Sequence, residues 1–483
     1  MLAVNKKLSR RVKLYFSRME KGDWNALPSL VLHQVFTYLP QKSRRAASST
    51  CKHWRSTLYH PLFWKHYDLN IYIGENSIAD IESKVDYAKS HILPLVRSVR
   101  LSFDSRSPLC FELATAAINA LLDNVLLNNI KVEIEHQHGV FTKDEFIFNG
   151  TPEMVYLWSL RNYLEYSILN IAQRRNIEEF SFGYLHFYCW HDLISMLAKH
   201  SSHSLKRLEL IPLESSLIKE LSNNSCFISS TFNNLTLLTN LQKLSLDLNF
   251  STCNLLPALC TMPQLETLVL RVLKKIDVDI SDDVWADLKK NCPKLGLRLA
   301  IIECKSMVKK LHRKLLMPSM PLTHLKVLFC DMLNVRVLRK LFDYRQTLES
   351  LIWVDDRSEN PTSLLDGHWP IDRFGGEIES NPLIILSWVC SNLKELVVHG
   401  YFMETVDVCG IARLRGTNLK RYELLEEDIC FNRAWNVMVY DDVVEDVTKW
   451  MGQTWEPLRK RNVFRTHAHY TIHCIADDST NVN

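Results

Sequence analysis

The residues best suited to chemistry lie near the end of the chain, in "HAHYTIHC", where His467, His469, His473 and Cys474 fall within residues 467–474. Alternation along a strand would place His467, His469 and His473 on one face, and two or three imidazoles on one face can hold zinc. Structural zinc sites draw four closed ligands from converging turns, however, and no pair among the 13 cysteines has the close spacing of a metal knuckle. The segment is read as a polar strand face, and neither a metal nor a cofactor is expected. Scattered Ser, His and Asp residues could be combined into a triad on paper, but no nucleophile elbow supports one. Cys51 belongs to an apolar helical segment, and no other cysteine has a distinguishing neighbourhood. With only 13 glycines in 483 residues, neither G-x-G-x-x-G nor G-x-x-x-x-G-K-[ST] occurs. No catalytic residue is assigned, and the chain is not expected to be an enzyme.

Composition bounds the alternatives. A 47% hydrophobic and 23% charged chain is that of a folded protein, and 483 residues suffice for a large core and more than one domain. The net charge of +4 is near balance, so charge calls for no nucleic-acid or membrane partner. Lys6, Lys7, Arg10, Arg11 and Lys13 make residues 1–23 a basic arm, read as solvated. No apolar run approaches the length of a membrane span; the longest, residues 384–390, is far too short. The cysteines are scattered and no secretory signal is read, so reduced thiols in the cytoplasm or nucleus are expected.

The elements that matter begin at "WNALPSLVLHQVFTYLP", where Leu32, Val35, Phe36 and Leu39 form one face of a helix that starts after Pro28 and stops at Pro40. Ala47, Cys51, Trp54 and Leu58, spaced by four, three and four, predict a second helix, broken at residues 59–61. Leu62, Phe63 and Trp64 begin a further apolar turn. Three short helices cannot bury this much aromatic surface among themselves, so the surplus face predicts a protein partner.

The order Trp24, Leu27-Pro28, Leu32, Val35-Phe36, Leu39-Pro40, Cys51, Trp54 and Pro61-Leu62-Phe63-Trp64 resembles an F-box, over residues 24–69. Where that family usually carries Glu two residues after the proline, this chain has Leu30. Ser43-Arg44 stands for the usual Asp-Leu, with Ser43 available as a helix cap, and Thr50 for the usual Val. The resemblance implies a trihelical module that binds the Skp-type adaptor of a cullin-RING ubiquitin ligase. The adaptor-binding candidates it implies are Leu27, Pro28, Leu32, Val35, Phe36, Leu39, Cys51, Trp54 and Trp64.

From about residue 90 an L-x-x-L-x-L-like pattern recurs, in "LKRLEL" (205–210), "LQKLSL" (241–246), "LETLVL" (265–270), "LKVLFC" (325–330), "LESLIW" (348–353) and "LKELVV" (393–398). Between 177 and 325 the separations are 28, 36, 24, 30 and 30 residues, the size of one strand plus one helix. Residues 282–295 and 303–316 carry helical patterns between copies. The period resembles long leucine-rich repeats, although the Asn or Cys expected three positions after the last Leu is almost always missing, with Asn249 the clear fit. In each copy the residues flanking the fourth position should line the concave face of the sheet. That places Val269, Val327, Phe329, Ile352 and Val397 in an outward apolar band, the candidate substrate-binding surface. Residues 440–461 are read as a polar terminal helix that caps the repeats.

The fold class expected is α/β: a short all-helical F-box module, residues 24–69, followed by an irregular leucine-rich-repeat (ribonuclease-inhibitor-like) α/β solenoid, residues 90–425. Insertions are expected near 133–176 and 354–392, and a cap and tail over 426–483. An F-box followed by such repeats is similar to the substrate-recognition subunit of a Skp–cullin–F-box ligase, in its divergent "F-box only" form. The partners implied are a Skp-type adaptor, the cullin-RING ligase behind it and an unidentified protein substrate. A repeat scaffold or inhibitor outside any ligase is the alternative.

Overall fold

The structure is a computed structural model that describes residues 27–73, 77–104, 107–135, 152–174, 176–183, 190–211, 233–247, 252–273, 280–355, 381–431 and 439–459. The basic arm, Trp24, Asn249 and the histidine-rich segment 467–474 lie outside them. The chain divides into two units, one of residues 1–133 with 155–171 and one of residues 134–154 with 172–483.

The first unit opens with three helices, α1 (Ser29–Tyr38), α2 (Gln41–Ser48) and α3 (Lys52–Leu58). It continues through β1 (His66–Ile71), α4 (Ile78–His91), β2 (Ser98–Asp104), α5 (Pro108–Leu121), β3 (Asn129–Glu135) and α6 (Pro152–Ala172). Strands β1 and β2 run parallel with Leu69 opposite Leu101, and β3 lies beside β2. Serines start two of the helices by satisfying free N–H groups. Ser77 Oγ accepts from Asp80 N at 3.2 Å, and Ser107 Oγ accepts from Cys110 N at 3.3 Å just ahead of Pro108. Buried Asn124 ties the loop before β3: its amide donates to the carbonyls of Leu93 and Val96 at 2.7 and 2.6 Å. Its oxygen accepts from Leu126 N at 2.7 Å.

The second unit alternates strand and helix. In chain order it holds β4 (Glu179–Gly183), α7 (Trp190–Ser201), β5 (Arg207–Ile211), β6 (Lys243–Asp247), α8 (Thr252–Leu259) and β7 (Thr267–Leu273). Next come α9 (Asp282–Asn291), β8 (Gly296–Ile302), α10 (Lys305–Lys314), β9 (Leu322–Leu328) and α11 (Val335–Lys340). The last repeats hold β10 (Ser350–Val354), α12 (Pro382–Val389), β11 (Glu395–His399), β12 (Met403–Glu404), α13 (Thr405–Arg415), β13 (Arg421–Leu424), β14 (Ile429–Cys430) and α14 (Tyr440–Met451). Strands β4 to β11 and then β13 pair in sequence order, each parallel to the next. Among the described residues, short helices follow most of the parallel strands, and the strands bury apolar residues such as Leu208, Leu268 and Leu325. The architecture is thus α/β and solenoid-like, and the helices expected at 282–295 and 303–316 are α9 and α10.

Register decides which residues line which face. Leu270, Leu299, Leu325, Leu351 and Leu396 form one row across neighbouring strands, buried with Trp285 of α9 and Leu311 of α10. A register shift at Leu297/Arg298 moves β9 by one residue. Leu325 is therefore the fourth position of its copy, not the first, and the copy reads from Leu322. Val327, opposite Ile301 and Trp353, faces the helical layer, where the sequence pattern had placed it on the other face.

Cys304 and Cys330 stand three residues after Ile301 and Val327, which lie opposite one another on β8 and β9. Cys304 N donates to the buried Cys330 Sγ at 3.4 Å and the Cys330 thiol donates to Ile301 O at 3.8 Å, so Cys330 joins successive turns. Acids do comparable work later. Asp355 accepts from Asp331 N at 2.9 Å and from the Tyr401 hydroxyl, and Asp428 accepts from Gly400 N at 2.6 Å. Gly400 has φ of 87°, a conformation open to glycine at little cost.

Candidate functional site

The helical module is built on prolines. Pro28 has φ of −56° and its carbonyl accepts from Val31 N and Leu32 N at 2.9 and 3.0 Å, which starts α1. Leu39 turns extended before Pro40, whose own carbonyl starts α2 by accepting from Arg44 N at 2.9 Å. Ser43 therefore lies inside α2 and does not cap it. The single helix expected through Ala47, Cys51, Trp54 and Leu58 is two helices. Cys51 has extended backbone (φ −155°, ψ 168°) and its sulfur accepts from Trp54 N at 3.4 Å, so it begins α3.

Packing then sorts the nine adaptor-binding candidates. Leu27, Leu32, Phe36 and Trp64 are buried in the chain itself. Phe36 meets the rings of Trp54 and Phe63, each with centroids 5.8 Å away, and the Trp64 indole N–H donates to Leu58 O at 2.6 Å. Leu27 O is 2.8 Å from His53 Nε2. Val35, Leu39, Cys51 and Trp54 are half-buried, and Pro28 is exposed. The module thus fills its own centre with Leu27, Leu32, Phe36 and Trp64, and only the remaining apolar residues make the surplus face. The reason is the turn at Pro61–Phe63, which brings Phe63 against Phe36 of α1 and lets Trp64 close on the end of α3 at Leu58.

Apart from Pro28, the most exposed apolar residues were not among the candidates. Leu30 is 81% exposed, with Leu62 and Tyr38 also exposed. The signal for Leu30 was present: an apolar residue off the 32-35-36-39 stripe has no core to enter. A second signal is charge. From residue 24 to 67 the chain has no Asp or Glu, against Lys42, Arg44, Arg45, Lys52, Arg55 and Lys65. Lys52, Arg55 and Lys65 are exposed, while Arg44 turns inward, its guanidinium 5.5 Å from the Phe63 ring centroid and its Nε donating to Leu39 O at 2.8 Å. The rings of His33 and His60 are tilted at 45° to each other with centroids 4.1 Å apart. Burial, and then the charge of His60, lowers the pKa of His33.

The substrate candidates are corrected. Val269, Val327, Phe329, Ile352 and Val397 are all buried, at 6% exposure or less, so they form no exposed apolar band. Val327 faces the helical layer, and Phe329 follows β9 with φ of 53°. Val269, Ile352 and Val397 lie on the expected face, but that face is itself enclosed, as its charged neighbours show. Glu209 pairs with Lys243 at 2.7 Å and accepts from Ser181 Oγ at 3.2 Å, with both charged side chains buried. Buried Arg271 donates to Ser245 Oγ at 2.7 Å and to Leu210 O at 2.6 Å. His399 Nε2 is 3.2 Å from Glu423, which Arg421 also holds at 2.9 Å. Burial raises the Glu423 pKa, but His399 and Arg421 outweigh it and hold the carboxyl below the usual range.

Among the described residues, no group of three or more His, Cys, Asp or Glu is placed to hold a metal ion. Burial pushes up the thiols of Cys110, Cys292, Cys330 and Cys390, the last to about 11, and a protonated thiol is a poor nucleophile. No helix among the described residues is long and apolar enough to cross a membrane.

Comparison with known proteins bears on the same module. The F-box-like family matches residues 24–70. Mouse (Mus musculus) F-box only protein 33 is 22% identical over 89% of this chain and 82% of its own length, and the human (Homo sapiens) protein of that name is 21% identical with the same coverage. Mouse F-box/LRR-repeat protein 21 is 37% identical over 49 residues, 10% of this chain and 11% of its own. These likenesses support a general role as a substrate adaptor of the Skp–cullin–F-box type. The chain carries an F-box-like domain at residues 24–70 and is homologous, at low identity, to F-box only protein 33 over most of its length.

Proposed function

We propose that the protein is the non-catalytic substrate-recognition subunit of a Skp–cullin–F-box ubiquitin ligase, with the adaptor held by residues 27–64 and a target protein held by the second unit. The observation that carries the reading is the division of apolar residues in the module. Leu32, Phe36 and Trp64 are buried, while Leu30, Leu62, Tyr38 and Pro28 are exposed and Val35 and Leu39 half-buried. A module this small that keeps large apolar residues in water has a use for them at an interface. Leu30, Pro28, Val35 and Leu39 would touch the adaptor, and the buried candidates Leu27, Leu32, Phe36 and Trp64 would shape the face they present. Exposed Lys52, Arg55 and Lys65 in a stretch without acids would favour an acidic rim on the partner.

The function needs no bond chemistry from this chain. Holding a target's lysines beside a charged conjugating enzyme raises their effective concentration, which is catalysis by proximity. The alternation of β4 to β13 with short helices supports a leucine-rich-repeat reading of the target-holding unit, with Cys304 and Cys330 at the position such repeats give to Asn or Cys. Free buried thiols such as Cys292 and Cys330 support a cytosolic or nuclear setting.

Co-expression of the full chain with a Skp-type adaptor tests the reading. A stoichiometric complex that Leu30→Glu weakens is expected. An adaptor that fails to copurify with the folded chain would replace the reading with that of a repeat scaffold.

A further inference from the structure

The enclosed inner rows leave open where a target would be held, and the outer helical layer offers a surface the sequence pattern did not suggest. Helix α12 packs on α13, and α13 on α14. The last turns of the three helices carry Trp388, Leu414 and Trp450, exposed by 67%, 38% and 42%. Tryptophan is the residue type that costs most to leave in water and most often anchors an interface.

The ledge these side chains form is braced. Arg415 donates to Trp388 O and Cys390 O, each at 3.1 Å, and so ties the end of α12 to the end of α13. Asp446 of α14 sits between Arg413 and Trp450, accepting from Arg413 Nε at 3.1 Å and from the Trp450 indole N–H at 3.2 Å. A Cβ at Gly416 would lie 3.2 Å from Trp450 O, so the turn after α13 is held close to the end of α14. Burial raises the Asp446 pKa, but the bonds from Arg413, the Cys409 thiol and Trp450 prevail and keep it charged. An anchor fixed before binding loses little freedom on binding.

Most charges at the three helix ends are positive, with exposed Glu445 a turn back on α14 the exception. Arg413 and Arg415 close α13, Lys449 lies with its ammonium 5.8 Å from the Trp450 ring centroid, and exposed Lys420 follows at the start of the next strand. Asp446 is already matched to Arg413.

We infer that the ends of α12, α13 and α14 form a docking ledge for an acidic segment of a target protein, with two apolar side chains seated on Trp388 and Trp450 and carboxylates facing Arg415, Lys420 and Lys449. This rests on the reading of the chain as a target-holding adaptor and adds the surface and the chemistry of the target. Packed helices lie about 8–10 Å apart, so two intervals span about 16–20 Å. An extended peptide covers that span in about five or six residues at ~3.3 Å each.

The test uses the full chain and two fluorescein-labelled peptides, read by fluorescence anisotropy. One is a glutamate-rich decapeptide with two leucines six positions apart, which places both on one face of an extended chain, and the other has every glutamate replaced by lysine. The acidic peptide is expected to bind, the basic one to bind at least about tenfold more weakly, and Trp388→Ala with Trp450→Ala to weaken the acidic peptide by about tenfold or more. Should that double variant melt at a lower temperature than the parent, Leu414→Asp is read in its place, with the same loss expected. Equal binding of both peptides, binding unchanged by the variants, or no binding of the acidic peptide at about millimolar concentration overturns the inference. Self-association of the chain that the same variants abolish assigns the ledge to a second copy and also overturns it. Adaptor copurification is measured on the same preparations. Loss of peptide with the adaptor retained supports the ledge. Ledge-dependent peptide binding without any adaptor leaves the ledge standing and removes only the ligase reading.

Discussion

The module at residues 27–64 and the inner face of the strands β5 to β11 solve opposite problems. The module places Leu30 in water at 81% exposure and leaves Lys52, Arg55 and Lys65 exposed in a segment whose sequence holds no acid. The strand face places Glu209, Lys243 and Arg271 out of water, and matches them with ion pairs or hydroxyl and carbonyl groups. A group left unsatisfied on a surface can be satisfied by a partner. A buried charge must be satisfied by the chain itself, because desolvation without a partner costs several kcal/mol. Exposed apolar residues and unpaired charges therefore point to interaction, whereas paired buried ions point to the integrity of the fold.

Breaking the enclosed side should have the largest effect. Lys243→Met leaves Glu209 buried with Ser181 as its remaining neutral partner, and is expected to cost about 3–5 kcal/mol in urea denaturation. Glu209→Leu together with Lys243→Met should recover most of that loss, because no lone charge remains. If the double variant is as unstable as the single one, the pair does more than neutralise burial. Phe36→Ala removes a ring packed on Trp54 and Phe63, with an expected cost of about 3–5 kcal/mol and loss of adaptor binding together with the module's fold.

Leu30→Glu is the sharpest contrast. Its stability effect should stay within about 0.5 kcal/mol, since nothing encloses the side chain, while adaptor copurification falls. A binding defect in Phe36→Ala that is matched by unfolding, and one in Leu30→Glu that is not, would separate the module's core from its contact face. Cys51→Ala should cost about 0.5–1 kcal/mol by removing the cap of α3, the low end of the range for N-caps because sulfur accepts weakly. Chemical denaturation with the separate unfolding of the module followed by Trp fluorescence would measure it.

The smallest effect is a pH dependence confined to the module. The folded pKa of His33 is depressed, so between that value and the unfolded value of 6.5 the unfolded chain binds the extra proton. Stability from this site is complete above pH 6.5 and declines as pH falls below it. Replacing His60 by Gln removes the second imidazole and should shallow that decline, which melting temperatures across the pH range would show.

Much of this was visible in the order of residues. Prolines 28, 40 and 61 punctuate the module because a ring without an N–H suits the start of a helix and obstructs the residue before it. The repeat period is legible because one strand and one helix must return the chain to the same layer. Cys51 was misplaced because helical spacing alone cannot tell a residue in mid-helix from one that caps the next helix. Val327 was misplaced because a shift at Leu297/Arg298 reverses the face of every later residue in the copy. The apolar band failed for a different reason: Val269, Ile352 and Val397 alternate as expected, but alternation gives the direction of a side chain and says nothing of what lies beyond it.

The sequence by itself determined the module's limits, the α/β alternation of the longer region and the apolar positions that had to enter a core, since these follow from periodicity and from the backbone limits of proline. Only the tertiary structure decided which apolar residues remained outside. Leu30, Trp388 and Trp450 are exposed, and Phe36, Ile352 and Val397 are not, although all are apolar residues in regular elements. Burial is a property of the packed neighbourhood, set by register, by turns such as Pro61–Phe63 and by neighbours many residues away, and no local pattern contains it.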